Sequence, residues 1–206
     1  MALKHIPSLL WPMEQRSPVY LLLEASTTSD HVPIATILSD ILEWGVEAGI
    51  VIDGVIASSE TQRSALWRLR EEQPEGQRLA GRQLKHDVSV PTGRLADFLT
   101  SATNECEAIL EGVRINAFGH LGDGNVHFNL SPPIGGEGFS NLEKELTVRL
   151  SELADGMSGS FAAEHGLGRV KVSLADRLRD PVERRLMRGI KSTFDEVGHL
   201  NPGVIV

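Results

Sequence analysis

The sequence predicts an α+β fold, and three observations carry that expectation. Two short apolar runs, at residues 19–26 and 50–57, have strand character, and each is followed by apolar residues at helical spacing. Residues 117–130, Ala-Phe-Gly-His-Leu-Gly-Asp-Gly-Asn-Val-His-Phe-Asn-Leu, fold back on themselves as a hairpin. Three longer amphipathic stretches, 94–109, 141–157 and 181–197, are helical in pattern. Short strands interleaved with longer helices point to a mixed layer of sheet and helix.

In chain order, residues 1–18 contain Pro7, Pro12 and Pro18 and are expected to be an irregular lead-in. The first apolar run, with Tyr20 and Leu21 to Leu23, fits a buried strand. Cap-type residues at 27–30 then introduce a helix marked by Ile34, Ile37, Leu38, Ile41 and Leu42, ending near Gly45 or Gly49. After the second strand, Ser58, Ser59, Glu60 and Thr61 can cap a helix carrying Leu66, Trp67 and Leu69. Residues 71–84 are polar and interrupted by glycine, as in a loop or frayed helix. Residues 87–90 alternate as a short strand stopped by Pro91-Thr92-Gly93. Leu95, Phe98, Leu99 and Ala102 mark one face of the next helix. Leu142, Leu146 and Leu150 do so for the one after the hairpin. The last helix is closed by Gly198 and Asn201-Pro202-Gly203. No linker or repeat stands out, so residues 19–206 are expected to form one domain, with Trp11, Trp44 and Trp67 in core positions.

Composition narrows the function. The 206 residues carry a net charge of −8, which disfavours non-specific nucleic-acid binding. An anionic substrate would need local positive charge or a metal ion. Cys106 is the only cysteine, so an internal disulfide or a thiolate metal cluster is excluded and a reducing, cytoplasmic setting is expected. No apolar run approaches the ~20 residues that span a bilayer.

The hairpin is the strongest chemical signal. Asp123-Gly124 suits a two-residue turn with positive φ at both positions. Folding about it sets Gly122 opposite Asn125, Leu121 opposite Val126 and His120 opposite His127, with opposed Cβ atoms roughly 4.5–5.5 Å apart. Asn129, two residues on, joins the same face. Two imidazoles so placed can chelate one metal ion; the alternative is a hairpin with merely exposed histidines. His5, His31 and His199 have no partners in sequence and suit surface or packing roles. His86 stands beside Lys85 and could line the site.

Two further segments complete a pattern. One is Ala163-Glu164-His165-Gly166-Leu167-Gly168. The other runs from Leu66-Trp67-Arg68-Leu69-Arg70-Glu71 to Lys85-His86-Asp87-Val88-Ser89-Val90-Pro91. With the hairpin, they make the chain from about Tyr20 to Gly203 resemble the C-terminal domain of the FAD-linked 2-hydroxy-acid dehydrogenases. That family includes D-lactate dehydrogenase, D-2-hydroxyglutarate dehydrogenase and the glycolate oxidase flavin subunit. The resemblance implies a ferredoxin-like antiparallel sheet with helices on one face and a C-terminal helical segment. It implies a divalent metal, usually zinc, held by His120, His127 and Glu164, and a catalytic base in His165. Arg70, Lys85 and Asn129 would contact the substrate carboxylate, and Asn201 would lie toward the flavin. A D-2-hydroxy acid would bind the metal through its hydroxyl and one carboxylate oxygen, lose its proton to His165, and pass a hydride to FAD.

Three departures qualify the resemblance. The family's FAD-binding domain lies N-terminal to this region, and nothing here takes its place, so a truncated product or fragment is expected. An edge strand missing with it would favour self-association. Pro74 stands where relatives place a hydroxyl residue near the substrate, which argues against D-2-hydroxyglutarate in particular. Val204 replaces a lysine after Asn201-Pro202-Gly203. Two other functions fit the same residues: a zinc hydrolase using Glu164 or His165 to activate water, and a non-catalytic module that binds metal or hydroxy acid.

Overall fold

The computed structural model describes residues 1–136 and 138–206. The chain falls into two compact units, Met1–Gly81 and Arg82–Val206, in place of the single body expected from residue 19 onward.

The first unit is helical among its described residues. Helix α1 spans Ala2–His5 within the expected irregular lead-in, α2 Ile34–Glu47, α3 Glu60–Glu71 and α4 Gln73–Leu79. Helices α2 and α3 form where the apolar spacing places them. Ser59 caps α3 by accepting a hydrogen bond from the Gln62 amide. Helix α4 occupies the stretch read as loop or frayed helix. Pro74 lies in its first turn, where a missing N–H costs nothing because that position has no intrahelical acceptor. Ala2 is buried, and a Cβ on Gly76 would meet its Cα at 2.4 Å, so α1 and α4 approach through glycine.

Residues 19–26 and 50–57 do not form strands. The apolar pattern is present, but a strand also needs a partner to take up its N–H and C=O groups. Val19, Leu21, Leu23, Ile50 and Ile52 are exposed, and so is Trp44, contrary to the core role expected of it.

The second unit contains the sheet. Its strands are β1 (Asp87–Ser89), β2 (Arg114–His120) and β3 (Asn125–Ser131), antiparallel in the order β1-β3-β2. Its helices are α5 (Leu95–Ile109), α6 (Glu143–Gly156), α7 (Val172–Leu178) and α8 (Pro181–Phe194). This is the expected α+β class, although α7 was not foreseen.

Strand alternation divides the sheet into two faces. Val88, Val126, Phe128 and Leu130 are packed against Phe98, Ala102 and Cys106 of α5 and Leu146, Leu150 and Ala154 of α6. Phe98 and Phe128 meet edge to face, with centroids 5.9 Å apart. The opposite face is polar, and it carries the candidate site.

The hairpin register differs from the expected one. Phe118, not His120, is paired with His127, and His120 is paired with Asn125, leaving residues 121–124 as a four-residue connection. Asp123 Oδ1 accepts the Asn125 N–H at 3.0 Å, and the Gly124 carbonyl accepts the Val90 N–H at 3.1 Å. These bonds hold the tip in a wider turn than a two-residue type I′ turn. The offset is two residues, an even number, so every side chain keeps its face. His120 and His127 are therefore diagonal neighbours on one face.

Candidate functional site

The polar face is a grid set by strand register. Asp87 is opposite His127, which is opposite Phe118; Ser89, Asn125 and His120 form the next row. Leu84 and Leu130 exchange backbone hydrogen bonds, which places Lys85 opposite Asn129 and then Asn116. Lys85 and Asn129, joined only by resemblance in the sequence, are thus direct cross-strand neighbours. Gln83, Asn116 and Ser131 close that end with side-chain hydrogen bonds.

The segment bearing Glu164 and His165 reaches this face along the free edge of β1. Ser89 and Ser160 exchange backbone hydrogen bonds at 2.8 Å, and the Ala163 N–H donates to the Asp87 carbonyl at 3.4 Å. Gly159 allows the approach: a Cβ there would lie 2.1 Å from the Ser89 carbonyl oxygen. Lys171 Nζ then donates to the Phe161 carbonyl at 2.7 Å. Farther on, the Ile205 N–H donates to Gly168, and the buried Arg184 donates to the Ile205 carbonyl, tying the C-terminal segment to this loop.

Asp87 joins the pieces. It is 2 % exposed. Its Oδ2 accepts the backbone N–H groups of Glu164 at 2.7 Å and His165 at 3.0 Å. Its Oδ1 accepts the Asn125 side-chain amide at 3.1 Å. Burial alone would raise this carboxyl, but the bonds from Glu164, Asn125 and His165 outweigh it and hold the group below the ordinary carboxylate range.

Around it, His127 Nδ1 lies 3.5 Å from Asp87 Oδ1, and His127 Nε2 lies 3.8 Å from Glu164 Oε2. His165 Nδ1 is 3.7 Å from Asp87 Oδ2, and the two imidazoles are stacked with centroids 6.0 Å apart. Donor atoms of Asp87, His127 and His165 all lie within 4.8 Å of one another. Two ligands on a tetrahedral zinc stand about 3.3 Å apart, so the His127–Glu164 separation needs only a small side-chain adjustment to suit one. Imidazole and carboxylate donors fit a divalent metal of that kind. His120, exposed and diagonal to His127, is not within this mutual grouping.

Other expected residues are placed differently. Arg70 belongs to α3 in the first unit. Asn201 is exposed near the C-terminus, with φ of 46°. His86 points to the helical face, where its Nδ1 donates to the Phe128 carbonyl at 3.0 Å and its Nε2 lies 3.1 Å from Thr147 Oγ1. It is a buried core histidine and does not line the site. A cleft of about 420 Å³ in the first unit involves Glu24, Arg63 and Trp67, whose polar groups pair with one another.

Sequence reasoning missed Asp87 and the half-buried Lys171. The available signal was an aspartate inside a strand, a position that residue disfavours, on the same alternation as His127.

The family model "FAD linked oxidases, C-terminal domain" matches residues 1–205, and the chain belongs to that family. It is 35% identical over 200 residues to D-2-hydroxyglutarate dehydrogenase of Stutzerimonas stutzeri, a match covering 94% of this chain and 42% of that protein. It is 34% identical over 193 residues to the mitochondrial D-2-hydroxyglutarate dehydrogenase of Rattus norvegicus, covering 91% of this chain and 34% of that one. The Arabidopsis thaliana mitochondrial enzyme of the same name is 32% identical over 202 residues, 98% and 35% of the two chains. The chain therefore spans about a third to two-fifths of the length of these relatives.

Proposed function

We propose that this chain is the substrate- and metal-binding part of a flavin-dependent D-2-hydroxy-acid dehydrogenase of the D-lactate or D-2-hydroxyglutarate class. The observation that carries the reading is the junction at Asp87, which gathers His127, Glu164 and His165 on one polar sheet face in a chain of this family. His127 and Glu164 would hold a divalent metal, with His120 as third ligand from the diagonal position, and zinc suits that donor set. When bound, the metal supplies Lewis acidity that favours the alkoxide form of the substrate hydroxyl. FAD, which a separate flavin-binding domain in cis or in trans would mainly hold, would supply the redox chemistry, and Asn201 would contribute to binding it.

The chain's own residues do the rest. His165 is exposed and adjacent to Glu164, and it takes the hydroxyl proton, a role suited to an imidazole near neutral pH. Lys85 and Asn129, opposed in the ladder, orient the substrate carboxylate. By the family resemblance, Arg70 would supply a second cation for a carboxylate. The antiparallel sheet with α5 and α6 on one face supports the ferredoxin-like arrangement. The single buried Cys106 suits a reducing compartment such as the cytoplasm, and no helix among the described residues is long and apolar enough to cross a membrane.

Metal analysis tests the reading. The purified chain, dialysed against zinc and then buffer, should retain one equivalent, and His127→Ala or Glu164→Gln should lose it. Metal-loaded chain should bind D-lactate or D-2-hydroxyglutarate by calorimetry more tightly than the metal-free chain. Zinc retention untouched by both substitutions would refute the site.

A further inference from the structure

We infer that Lys171 is a positioning residue: its ammonium group, bonded to the Phe161 carbonyl, closes the loop that carries Glu164 and His165 and holds both residues at the sheet face. The consequence for metal binding rests on the function proposed above; the clamp itself does not.

Glu164 and His165 lie inside a loop whose two ends are fixed. At its start, Ser160 exchanges backbone hydrogen bonds with Ser89 at 2.8 Å. At its end, Lys171 is the N-cap of α7, and its carbonyl accepts the Ala175 N–H at 2.9 Å. The middle is softer. Gly166 and Gly168 have φ of 67° and 55°, where the lack of a Cβ leaves the backbone few steric limits. Arg169 and Val170 are exposed. The amides of Glu164 and His165 rest on Asp87 Oδ2, at 2.7 and 3.0 Å, so their placement is lost if the rest of the loop swings outward.

Lys171 Nζ spans this gap. It donates to the Phe161 carbonyl at 2.7 Å, which joins residues ten apart and encloses 162–170 in a ring. Phe161 is 3 % exposed, so its carbonyl has little access to water, and a buried carbonyl without a donor is costly. The donor is a charged ammonium, which makes the stronger class of hydrogen bond. Phe161 and Ala162 are packed with Leu167 of the same loop and with Leu174 and Ala175 of α7, so the bond draws the loop onto the helix that follows it. Closing the ring removes open conformations that the two glycines would otherwise reach. Burial pushes the Lys171 amine below the usual lysine range, and the Asp87 charge opposes that shift. The carboxylate that anchors the two amides and the ammonium that closes their loop are therefore electrostatic neighbours.

The test uses the full 206-residue chain, metal-free, labelled with 15N-lysine and with 13C at the phenylalanine carbonyls. The wild type should show a coupling through the hydrogen bond between Lys171 Nζ and the Phe161 carbonyl, and its absence overturns the inference whether or not any variant folds. Lys171→Met removes the donor and keeps the apolar stem. In that variant, with far-UV circular dichroism unchanged, hydrogen exchange at the Glu164 and His165 amides should rise roughly 10–100-fold, the ratio set by one charge-assisted hydrogen bond. Exchange at Val126, Phe128 and Leu130 should stay as in the wild type. Lys171→Arg, which keeps a charged donor, should recover most of the protection, and zinc affinity should fall about 10-fold or more in Lys171→Met alone. Unchanged exchange at Glu164 and His165 in folded Lys171→Met overturns the inference, as does an equal rise across the sheet, no recovery in Lys171→Arg, or faster exchange with undiminished zinc affinity. If the exchange pattern holds but the wild type binds no zinc, the clamp stands and the metal reading above fails.

Discussion

The buried imidazole of His86 should make the second unit lose stability between pH 7 and pH 5. The ring is 6 % exposed, between the sheet and α6. Burial, aided by the nearby Lys171 charge and opposed by the bond to Phe128, pushes its pKa down from 6.5 to about 4. The folded state therefore stays unprotonated at pH values where the unfolded chain takes up a proton. Stability from this residue is fully present above about pH 6.5 and is lost as pH falls toward 4. With those two pKa values, linkage gives a loss of ~2 kcal/mol at pH 5 relative to pH 7 and above. His86→Gln keeps a donor for the Phe128 carbonyl and does not titrate, so its stability should be flatter over this range by that amount. Tryptophan fluorescence would miss the effect, because Trp11, Trp44 and Trp67 all lie in the first unit. Hydrogen exchange at the amides of Val126, Phe128 and Leu130, corrected for intrinsic pH dependence, reports the right transition. Parallel pH profiles for wild type and variant would refute the reasoning.

Two further outcomes follow from the geometry around the site. Gly124→Ala should destabilise the hairpin by about 2 kcal/mol or more, since φ is +70° and the new Cβ would lie 1.9 Å from the Val90 carbonyl oxygen. Gly122→Ala, with nothing within 4 Å, should cost under ~1 kcal/mol, and urea unfolding followed by far-UV circular dichroism separates the two. Cys106 is buried against α6, and burial with the neighbouring Glu105 charge pushes its thiol up to about 12, so alkylation at pH 8 should require unfolding of the second unit. Mass spectrometry of iodoacetamide-treated native chain checks this.

How much of this was legible in the sequence depended on the range of the interactions involved. Helices α3, α5, α6 and α8 were readable because period and caps are local, as at Ser59. The polar face of the hairpin was readable for the same reason: side-chain period is two, and an even register shift leaves His120, His127 and Asn129 together. The register itself was not, because it is set by Val90 reaching Gly124 from another strand. Residues 19–26 and 50–57 have strand-like composition, yet pairing is a property of two segments, and composition shows only one. The boundary after Gly81 has no linker-like composition to mark it.

Asp87 shows most clearly why a motif is not yet a site. Glu164 and His165 lie 77 and 78 residues from it in sequence, so no spacing rule joins them. A buried carboxylate with all but one of its acceptor sites filled by donors from β3 and the Glu164 loop is costly to leave unsatisfied. The alternative to this arrangement is a desolvated charge, so the same bonds that stabilise the fold also fix where the Glu164-His165 backbone stands beside Asn125 of β3. A surface hairpin with two histidines would hold its rings loosely, and loosely held ligands lose affinity to the entropy of ordering them. Anchoring both segments on one buried oxygen pair removes much of that cost before any ligand arrives. The stability of the second unit and the geometry of its polar face are therefore coupled through Asp87, and substitutions there should disturb both together.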